Sequence, residues 1–197
     1  MNSVVYNDVL NFWFGAPGSP GYGESRIEWF KKSDAFDALI RGRFLALHDT
    51  ACEQAQAHKL AHWRTSPLSL LALIIVCDQF PRNMFRDSPR AFETDPVALD
   101  CAKQMCTMGW DLRLNAVERQ FVYLPFEHAE NRDAQHESIA HFTRLANEHG
   151  QHGLLEWAHK HSVIIERFGR FPHRNAVLGR ASTPEELEFL KGPDSRF

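Results

Sequence analysis

The sequence of 197 residues has few of the features that mark metal, redox and membrane proteins. It contains four cysteines, none in a Cys-x-x-Cys pair, and the spacing of Cys101 and Cys106 suits neither a metal site nor a redox pair. Their apolar or helical surroundings are typical of small buried side chains. The longest apolar stretch, Leu68 to Cys77, is about half as long as a membrane-spanning helix, which needs roughly 20 residues. We therefore expect no metal site and no membrane partner.

Signals of several other functional classes are also missing. The formal net charge is −3 and no long basic run occurs, so binding to nucleic acid is not expected. The sequence has no phosphate-binding loop, dinucleotide fingerprint or nucleophile elbow, and no cofactor is predicted. The first residues have no basic segment, and polar residues interrupt their apolar positions, which is unlike a signal peptide. We therefore predict a cytoplasmic protein, whose oligomeric state the sequence leaves open.

Helix signals dominate what is present, while the alternation typical of strands is scarce. Between Asp34 and about Ala57, apolar residues recur at three- and four-residue steps, as on one face of a helix. The segment that begins at Pro67 is apolar nearly all round, which predicts a buried central helix. This helix is expected to end near Phe80, because Pro81 disfavours helical geometry in the residue before it. Pro125 is expected to mark another break.

Residues typical of helix ends occur at several of these boundaries. The expected N-terminal signals are Ser66, Asp95, Asn115 with Glu118, and Thr183 with Glu186, and the expected C-terminal stops are Gly109 and Gly169. No stretch long enough to act as a linker separates the helices. The sequence therefore predicts an all-α fold, with residues 1–197 forming a single compact domain of eight or nine helices in antiparallel pairs.

One short pattern occurs twice. Phe80-Pro81-Arg82-Asn83 and Phe171-Pro172-His173-Arg174-Asn175 each follow an apolar helix that contains a pair of isoleucines. Two similar helix exits predict two similar structural units. Arg and Asn side chains donate to the carbonyls at helix C-termini, so a purely structural role explains the pattern. We call residues 80–90 and 167–180 the two Phe-Pro segments.

A second interpretation is that the arginines of the two Phe-Pro segments converge on an anion. Each guanidinium presents a planar fork of donors that matches a carboxylate or a phosphate. Acidic residues nearby would hold some of these arginines in place. The candidate ligand-binding residues are Asp78, Arg82, Asn83, Arg86, Arg167, Arg170, His173, Arg174 and Asn175.

Five stretches carry a resemblance to a known family: "VLNFWFG", "DQFPRNMFR", "AFETDPVAL", "YLPFEHAE" and "RFGRFPHRNAVLGR". Together they resemble the bacterial family catalogued as domain of unknown function 924, from Val9 to about Phe189. That family is similar to the tetratricopeptide-like helical superfamily, so the resemblance implies stacked antiparallel helix pairs. The repeat signature of about 34 residues is itself not visible here. The resemblance implies no activity.

The stretch "YLPFEHAENRD" is the richest in groups that transfer protons. Glu127 and Glu130 are three residues apart, so they share one face of a helix, and His128 lies between them. Two carboxylates and a histidine can act as general acid and base, which makes Glu127, His128 and Glu130 the candidate catalytic residues. The alternatives are ion pairs with the arginines of the Phe-Pro segments or, with less support from the spacing, a divalent metal.

Three functions stay open at this point. The first is a soluble binding protein that holds an anionic small molecule or a peptide carboxylate in an Arg-lined pocket between the two Phe-Pro segments. The second is a hydrolase-type enzyme that uses Glu127, Glu130 or His128, with arginines binding the substrate. The third is a helical protein-interaction scaffold in which these residues have structural roles only.

Overall fold

The computed structural model describes residues 6–57, 61–193 and 195, and every regular element among them is helical. The prediction of an all-α fold is therefore confirmed. Internal contacts divide the chain into two compact units, Met1–Arg86 with Arg90–Pro125, and Asp87–Pro89 with Phe126–Phe197. The assignment of residues 1–197 to a single domain stays a prediction. The sequence also predicts a first helix from about Ser3 to Phe14, and its expected start at Ser3 lies outside the described residues.

The described residues form nine α-helices, or eight if the continuous stretch from α3 to α4 is counted once. The helices are α1 (Tyr6–Phe14), α2 (Asp34–Ala57), α3 (Pro67–Ile74), α4 (Phe80–Met84), α5 (Asp95–Thr107), α6 (Ala116–His128), α7 (Arg132–His149), α8 (His152–Phe168) and α9 (Pro184–Phe189). A π-helical turn, Ile75–Gln79, joins α3 to α4. Short 3₁₀ helices are Ile27–Trp29, Ala61–Arg64, Pro89–Phe92, Asp111–Arg113 and Pro172–Arg174.

The first unit is built around the stretch from α3 to α4, as the apolar sequence predicts. Ser66 caps α3 by accepting a hydrogen bond from the backbone of Ser69. Helices α1, α2 and α5 pack against this stretch. Aromatic rings fill the space between them: the rings of Phe44 and Phe80 stack 4.7 Å apart, and those of Trp13 and Trp29 stack 5.8 Å apart. Large aromatic side chains thus supply much of the buried surface that holds this unit together.

The expected helix end near Phe80 is wrong, because the helix runs on through Pro81 to Met84. A π-helical turn makes this geometry accessible: the N–H of Phe80 donates to the carbonyl of Ile75, five residues earlier. Pro81 has no N–H to offer the carbonyl of Cys77, four residues before it. The hydroxyl of Thr94 supplies a donor instead, and it donates to the Cys77 carbonyl over 2.6 Å.

Replacing Thr94 with valine is expected to lower the free energy of unfolding by about 1–3 kcal/mol, because the change leaves the buried Cys77 carbonyl without this donor. Urea denaturation of the variant measures the loss. Thr50→Val is the matched control, since the exposed Thr50 hydroxyl donates to the Ala46 carbonyl of its own helix. Equal losses in the two variants would contradict the role assigned to Thr94.

The expected break at Pro125 is also wrong, since Pro125 lies inside α6. A proline in a helix interior costs about 3 kcal/mol because it removes one backbone hydrogen bond and crowds the preceding turn. Tyr123 and Phe126 on either side of it are fully buried. Their packing outweighs the local cost. The predicted cap at the start of α6 is present, because Asn115 and Glu118 each accept from the backbone N–H of the other.

The second unit has its main contact between α7 and α8. The two helices are antiparallel because only Gly150 and Gln151 separate them, and Gly150 ends α7 in the left-handed conformation at φ 71°. Gly169 ends α8 in the same way at φ 69°, as predicted. The predicted capping box of Thr183 and Glu186 opens α9.

The two Phe-Pro segments have different local structures, so the prediction of two similar helix exits is wrong. Phe80 and Pro81 continue a helix, whereas Phe171 is extended and Pro172 begins a 3₁₀ turn. The difference has a local cause: Gly169 terminates α8 directly before the second Phe-Pro, whereas the nearest glycine before the first is Gly42. Phe171 instead packs with Ile164 and Ile165 in the core of the second unit.

Candidate functional site

The most distinctive arrangement in the second unit is a buried pair formed by Glu127 and His161. Glu127 lies in the last turn of α6, and His161 lies on the buried face of α8 one turn before Ile164 and Ile165. His161 Nδ1 is 3.2 Å from Glu127 Oε1. The two residues are only 5% and 4% exposed, respectively. A carboxylate and an imidazole are thus held in contact away from bulk water.

The hydrogen bonds of His161 fix its tautomer. Nδ1 is also 2.9 Å from the carbonyl oxygen of Trp157, one helical turn earlier. A carbonyl oxygen only accepts hydrogen bonds, so the ring carries its proton on Nδ1 and shares it between Trp157 and Glu127. In the neutral ring, Nε2 then bears the basic lone pair.

The surroundings keep His161 neutral at physiological pH. Burial lowers the pKa of His161 to about 3, the hydrogen bond to the Trp157 carbonyl opposes this shift, and electrostatic interactions with His128, Arg174 and His173 add to it. A histidine held in its neutral form by burial and by neighbouring charges is a candidate for proton transfer.

Aromatic and basic side chains surround this pair. The ring of Phe171 meets that of His161 edge-on at 5.6 Å, and the Arg174 guanidinium lies over the Phe171 ring at 4.5 Å. The ring of His128 is 6.4 Å from that of His161. We define the His161 cluster as Glu127, His128, Trp157, His161, Phe171, His173 and Arg174. His128 and His173 are half-buried and Trp157 is 46% exposed, so the cluster reaches the protein surface.

A buried glutamine fixes the helix end that carries Glu127. The side-chain amide of Gln135 donates to the carbonyls of Phe126, Glu127 and Ala129 over 3.3, 2.7 and 2.9 Å. The carbonyls of Phe126 and Glu127 belong to the C-terminal turn of α6 and that of Ala129 directly follows it, a region where backbone acceptors lack the usual partners within the helix. Gln135 is held in turn by the start of α7, where the Asn131 side chain accepts from the N–H of Ala134.

Glu130, a predicted catalytic candidate, anchors the second Phe-Pro segment. It pairs with both terminal nitrogens of Arg180, at 2.6 and 2.8 Å, and accepts from the N–H of Phe171 over 2.8 Å. Burial alone would raise the pKa of Glu130, but the bonds from Arg180 and Phe171 and the charges of Arg180 and Arg174 lower it overall. Glu130 is therefore ionised, and it positions Phe171 beneath Arg174.

The arginines of the first Phe-Pro segment are paired with carboxylates of the first unit. Arg82 binds both oxygens of Asp95, at 2.7 and 3.0 Å, and its guanidinium lies 3.2 Å from the buried carboxylate of Asp78. Arg86 binds both oxygens of Asp37 at 2.6 and 3.0 Å, and Asn83 donates to the same carboxylate. Bidentate pairs of this kind lock the guanidinium planes in place.

Arginines of the second segment are paired in a similar way within the second unit. Arg170 binds both oxygens of Glu186 at 2.7 and 2.9 Å, and this pair lowers the pKa of Glu186 to about 2. Asn175 also donates to Glu186. Arg167 pairs with Glu185 at the surface.

The structure sorts the predicted site residues into two groups. Asp78, Arg82, Asn83 and Arg86 lie in the first unit, whereas Glu127, His128, Glu130 and the candidates from 167 to 175 lie in the second. Within the second unit, Glu127, His128, His173 and Arg174 come together around a residue that was not among the candidates, His161. His161 lies within the apolar stripe of α8, and this position can be read from the sequence. Buried histidines with a purely structural role occupy such positions too, so the pattern does not identify a functional histidine.

Two further observations concern metals and membranes. Among the described residues, no group of three or more His, Cys, Asp or Glu side chains is placed to hold a metal ion. No helix in the described ranges combines the length and apolar character needed to cross a membrane.

Comparisons with known proteins place this architecture among related chains. The model of a family described as bacterial protein of unknown function (DUF924) matches residues 9–194. The solved structure of a protein of unknown function from Agrobacterium tumefaciens is 37% identical, with a TM-score of 0.79, and the match covers 95% of this chain and 97% of that one. No curated protein matches the chain.

Proposed function

Because the chain belongs to the bacterial DUF924 family, whose description names no activity, we propose a function from the His161 cluster itself. The protein is an acid–base enzyme of the hydrolase type, with His161 as the general base and Glu127 as the residue that orients it. This proposal replaces Glu130 and His128 with His161 as the proton acceptor, and it keeps Glu127 as a functional residue.

One observation carries the proposal: a neutral, buried imidazole shares its Nδ1 proton with a carbonyl and a carboxylate. A base of this kind needs a second group that fixes its tautomer and orients the ring, and Glu127 at 3.2 Å meets this need. Nε2 accepts a proton from a water molecule as its oxygen attacks an acyl or phosphoryl centre. The imidazolium then returns this proton to the leaving group.

The charges around His161 support a ligand with an anionic group. Arg174 carries a permanent positive charge, and its effect on the pKa of both His161 and Glu130 shows that its field reaches each of them. His128 and His173 add protonatable groups on the exposed side of the cluster. A carboxylate or phosphate on the substrate is complementary in charge to these groups.

A binding protein without turnover is the second candidate, and the same positive groups favour it. The prediction that an anion binds between the two Phe-Pro segments stays a prediction. Arg82, Arg86 and Arg170 already make bidentate pairs, so an anion at those side chains would compete with a carboxylate. The proposal centres anion binding on Arg174, whose positive charge lowers the pKa of both His161 and Glu130.

The proposal also includes the location and the helical arrangement expected from the sequence. A tetratricopeptide-like stacking of helix pairs is supported by the antiparallel pair of α7 and α8. A cytoplasmic location is supported by the four cysteines, which are all free thiols.

Turnover of chromogenic esters tests the proposed activity. The anionic probes are 4-nitrophenyl phosphate and the mono-4-nitrophenyl ester of succinate, and 4-nitrophenyl acetate is the neutral probe. We expect the wild-type protein to hydrolyse an anionic probe, and His161→Gln to lower kcat by about 10²–10⁴-fold, the usual contribution of a general base.

His136→Gln is the matched control, because His136 is an exposed residue of the same unit that pairs with Glu166 at 3.4 Å. It should retain the wild-type rate. A His161→Gln protein that turns over at the wild-type rate would overturn the assignment. Thermal stabilisation by the anionic probes without any turnover would favour the second candidate, a binding protein.

A further inference from the structure

Trp157 is a large aromatic side chain that α8 leaves at the protein surface, where it is 46% exposed. Of the other four tryptophans of the chain, Trp13, Trp29 and Trp63 are buried and Trp110 is half-buried. Burial of an indole is favourable, and tryptophan is enriched at the centres of binding interfaces. Trp157 is therefore the tryptophan that is placed to contact a ligand.

The indole of Trp157 lies on the same face of α8 as the proposed base, His161. The two residues are four positions apart, so their side chains are neighbours on the helix surface. The carbonyl of Trp157 also accepts the Nδ1 proton of His161 over 2.9 Å. A ligand that contacts the indole is thus bound next to the buried imidazole.

A positive charge is held against the same ring. Nζ of Lys160 lies 4.6 Å from the centroid of the Trp157 ring, which is the geometry of a cation–π interaction. Lys160 is half-buried, although lysine is mostly an exposed residue. An ammonium group has three donor hydrogens, so it can donate to an incoming carboxylate in addition to its present neighbours.

The indole and the ammonium together favour one class of ligand. A cationic ligand is disfavoured, because the Lys160 ammonium lies over the ring and repels it. A neutral ring stacks on the indole but makes no use of the positive charge. An aromatic ring with a carboxylate uses both groups, because the ring stacks on the indole and the carboxylate accepts from the ammonium.

We propose that Trp157 and Lys160 form a binding site for an aromatic carboxylate. The inference rests on the proposed function in one respect, since it makes this group part of the substrate that is hydrolysed at His161. The carboxylate is additional to the anionic group assigned to Arg174. The substrate class is thus an aromatic acid whose ring also carries the reacting ester or phosphate.

Titration with benzoate, followed by NMR of the isotope-labelled full-length protein, tests the site without requiring turnover. The indole N–H signal of Trp157 is the one that Trp157→Leu removes. We expect benzoate to shift this signal and to bind about 5-fold more tightly than cyclohexanecarboxylate or benzamide. The first control compound keeps the charge without the aromatic ring, and the second keeps the ring without the charge. Equal affinities for benzoate and either control compound overturn the inference.

The Lys160→Met variant separates the effect of the charge from that of the ring. It should weaken benzoate binding about 5-fold and leave benzamide binding unchanged, because methionine keeps an apolar side chain but has no charge. Lys103→Met is the matched control, since Lys103 is an exposed lysine of the first unit, and it should bind benzoate like the wild type. The site is disproved if Lys160→Met binds benzoate as tightly as the wild type.

Inhibition of ester hydrolysis connects the site to the proposed function. Benzoate should act as a competitive inhibitor, raising KM for an anionic chromogenic ester and leaving kcat unchanged. Turnover that benzoate does not inhibit, with no shift of the Trp157 signal, overturns the site and leaves the role of His161 as general base intact. A shift of the Trp157 signal by benzoate without any turnover supports the site and overturns the proposed hydrolase.

Discussion

Replacing Arg82 with methionine is expected to lower the free energy of unfolding by about 3–5 kcal/mol, because the change leaves a buried charge without its partner. Arg82 is 20% exposed at its side chain and joins two carboxylates, of which Asp78 is fully buried. Burial alone would lower the pKa of Arg82, but the charges of Asp95 and Asp78 raise it, so the guanidinium is always ionised. Guanidinium denaturation at neutral pH measures the loss.

Arg167→Met is the matched control. Its pair with Glu185 is exposed on both sides, and such pairs contribute less than about 1 kcal/mol. Adding Asp78→Asn and Asp95→Asn to Arg82→Met should restore part of the lost stability, because the uncompensated charges are then removed. If Arg82→Met is no less stable than Arg167→Met, the stability of the first Phe-Pro segment does not depend on this network of charges. That result would favour the anion-binding role that the sequence predicts for Arg82.

Acidification from pH 7.5 to pH 5 should destabilise the protein, with His161 contributing about 2 kcal/mol of the loss. Burial holds the folded pKa of His161 at about 3, below the value of about 6.5 in the unfolded chain. The unfolded state therefore binds the proton first, and stability falls as pH drops from about 6.5 toward 3. Urea denaturation of wild type and His161→Gln at several pH values measures the difference between them.

Two other groups with shifted pKa values do not account for a difference between the wild type and His161→Gln in this pH range. The pKa of His48 is also lowered, chiefly by burial and then by the charge of Arg90, but it contributes equally to the wild type and to His161→Gln. Hydrogen bonding to Arg170 holds the pKa of Glu186 at about 2. The contribution of Glu186 to the free energy of unfolding is present above about pH 4.5 and is lost only at lower pH. If both proteins lose the same stability between pH 7.5 and pH 5, His161 is not the buried neutral base.

The fold was largely predictable because its signals are local. Ser66, Thr183 and Gly169 mark helix ends through bonds or backbone angles that involve only their near neighbours. The errors in helix bounds occur at Pro81 and Pro125, where tertiary contacts decide the outcome. Pro81 leaves the carbonyl of Cys77 without its helical donor, and the hydroxyl of Thr94 donates to this carbonyl instead. Nothing in the sequence around Pro81 indicates this contact.

The candidate site was less predictable because its contacts are long-range. The spacing of Glu127, His128 and Glu130 drew attention to the end of α6. It gave no way to distinguish Glu127, which faces a histidine 34 residues away, from Glu130, which faces an arginine 50 residues away. The same holds for Arg86, whose carboxylate partner lies 49 residues earlier in the chain.

The π-helical turn before Phe80 also sets the direction, around the helix axis, in which every later side chain of that helix points. A turn of this kind contains one residue more than an α-helical turn, and each residue advances the helix by about 100° and 1.5 Å. Without the extra residue between Ile75 and Gln79, the Arg82 side chain would leave the helix about a quarter of a turn away from Asp95. The direction of this guanidinium toward Asp95 is thus determined by a single inserted residue, in a turn that contains neither Arg82 nor Asp95.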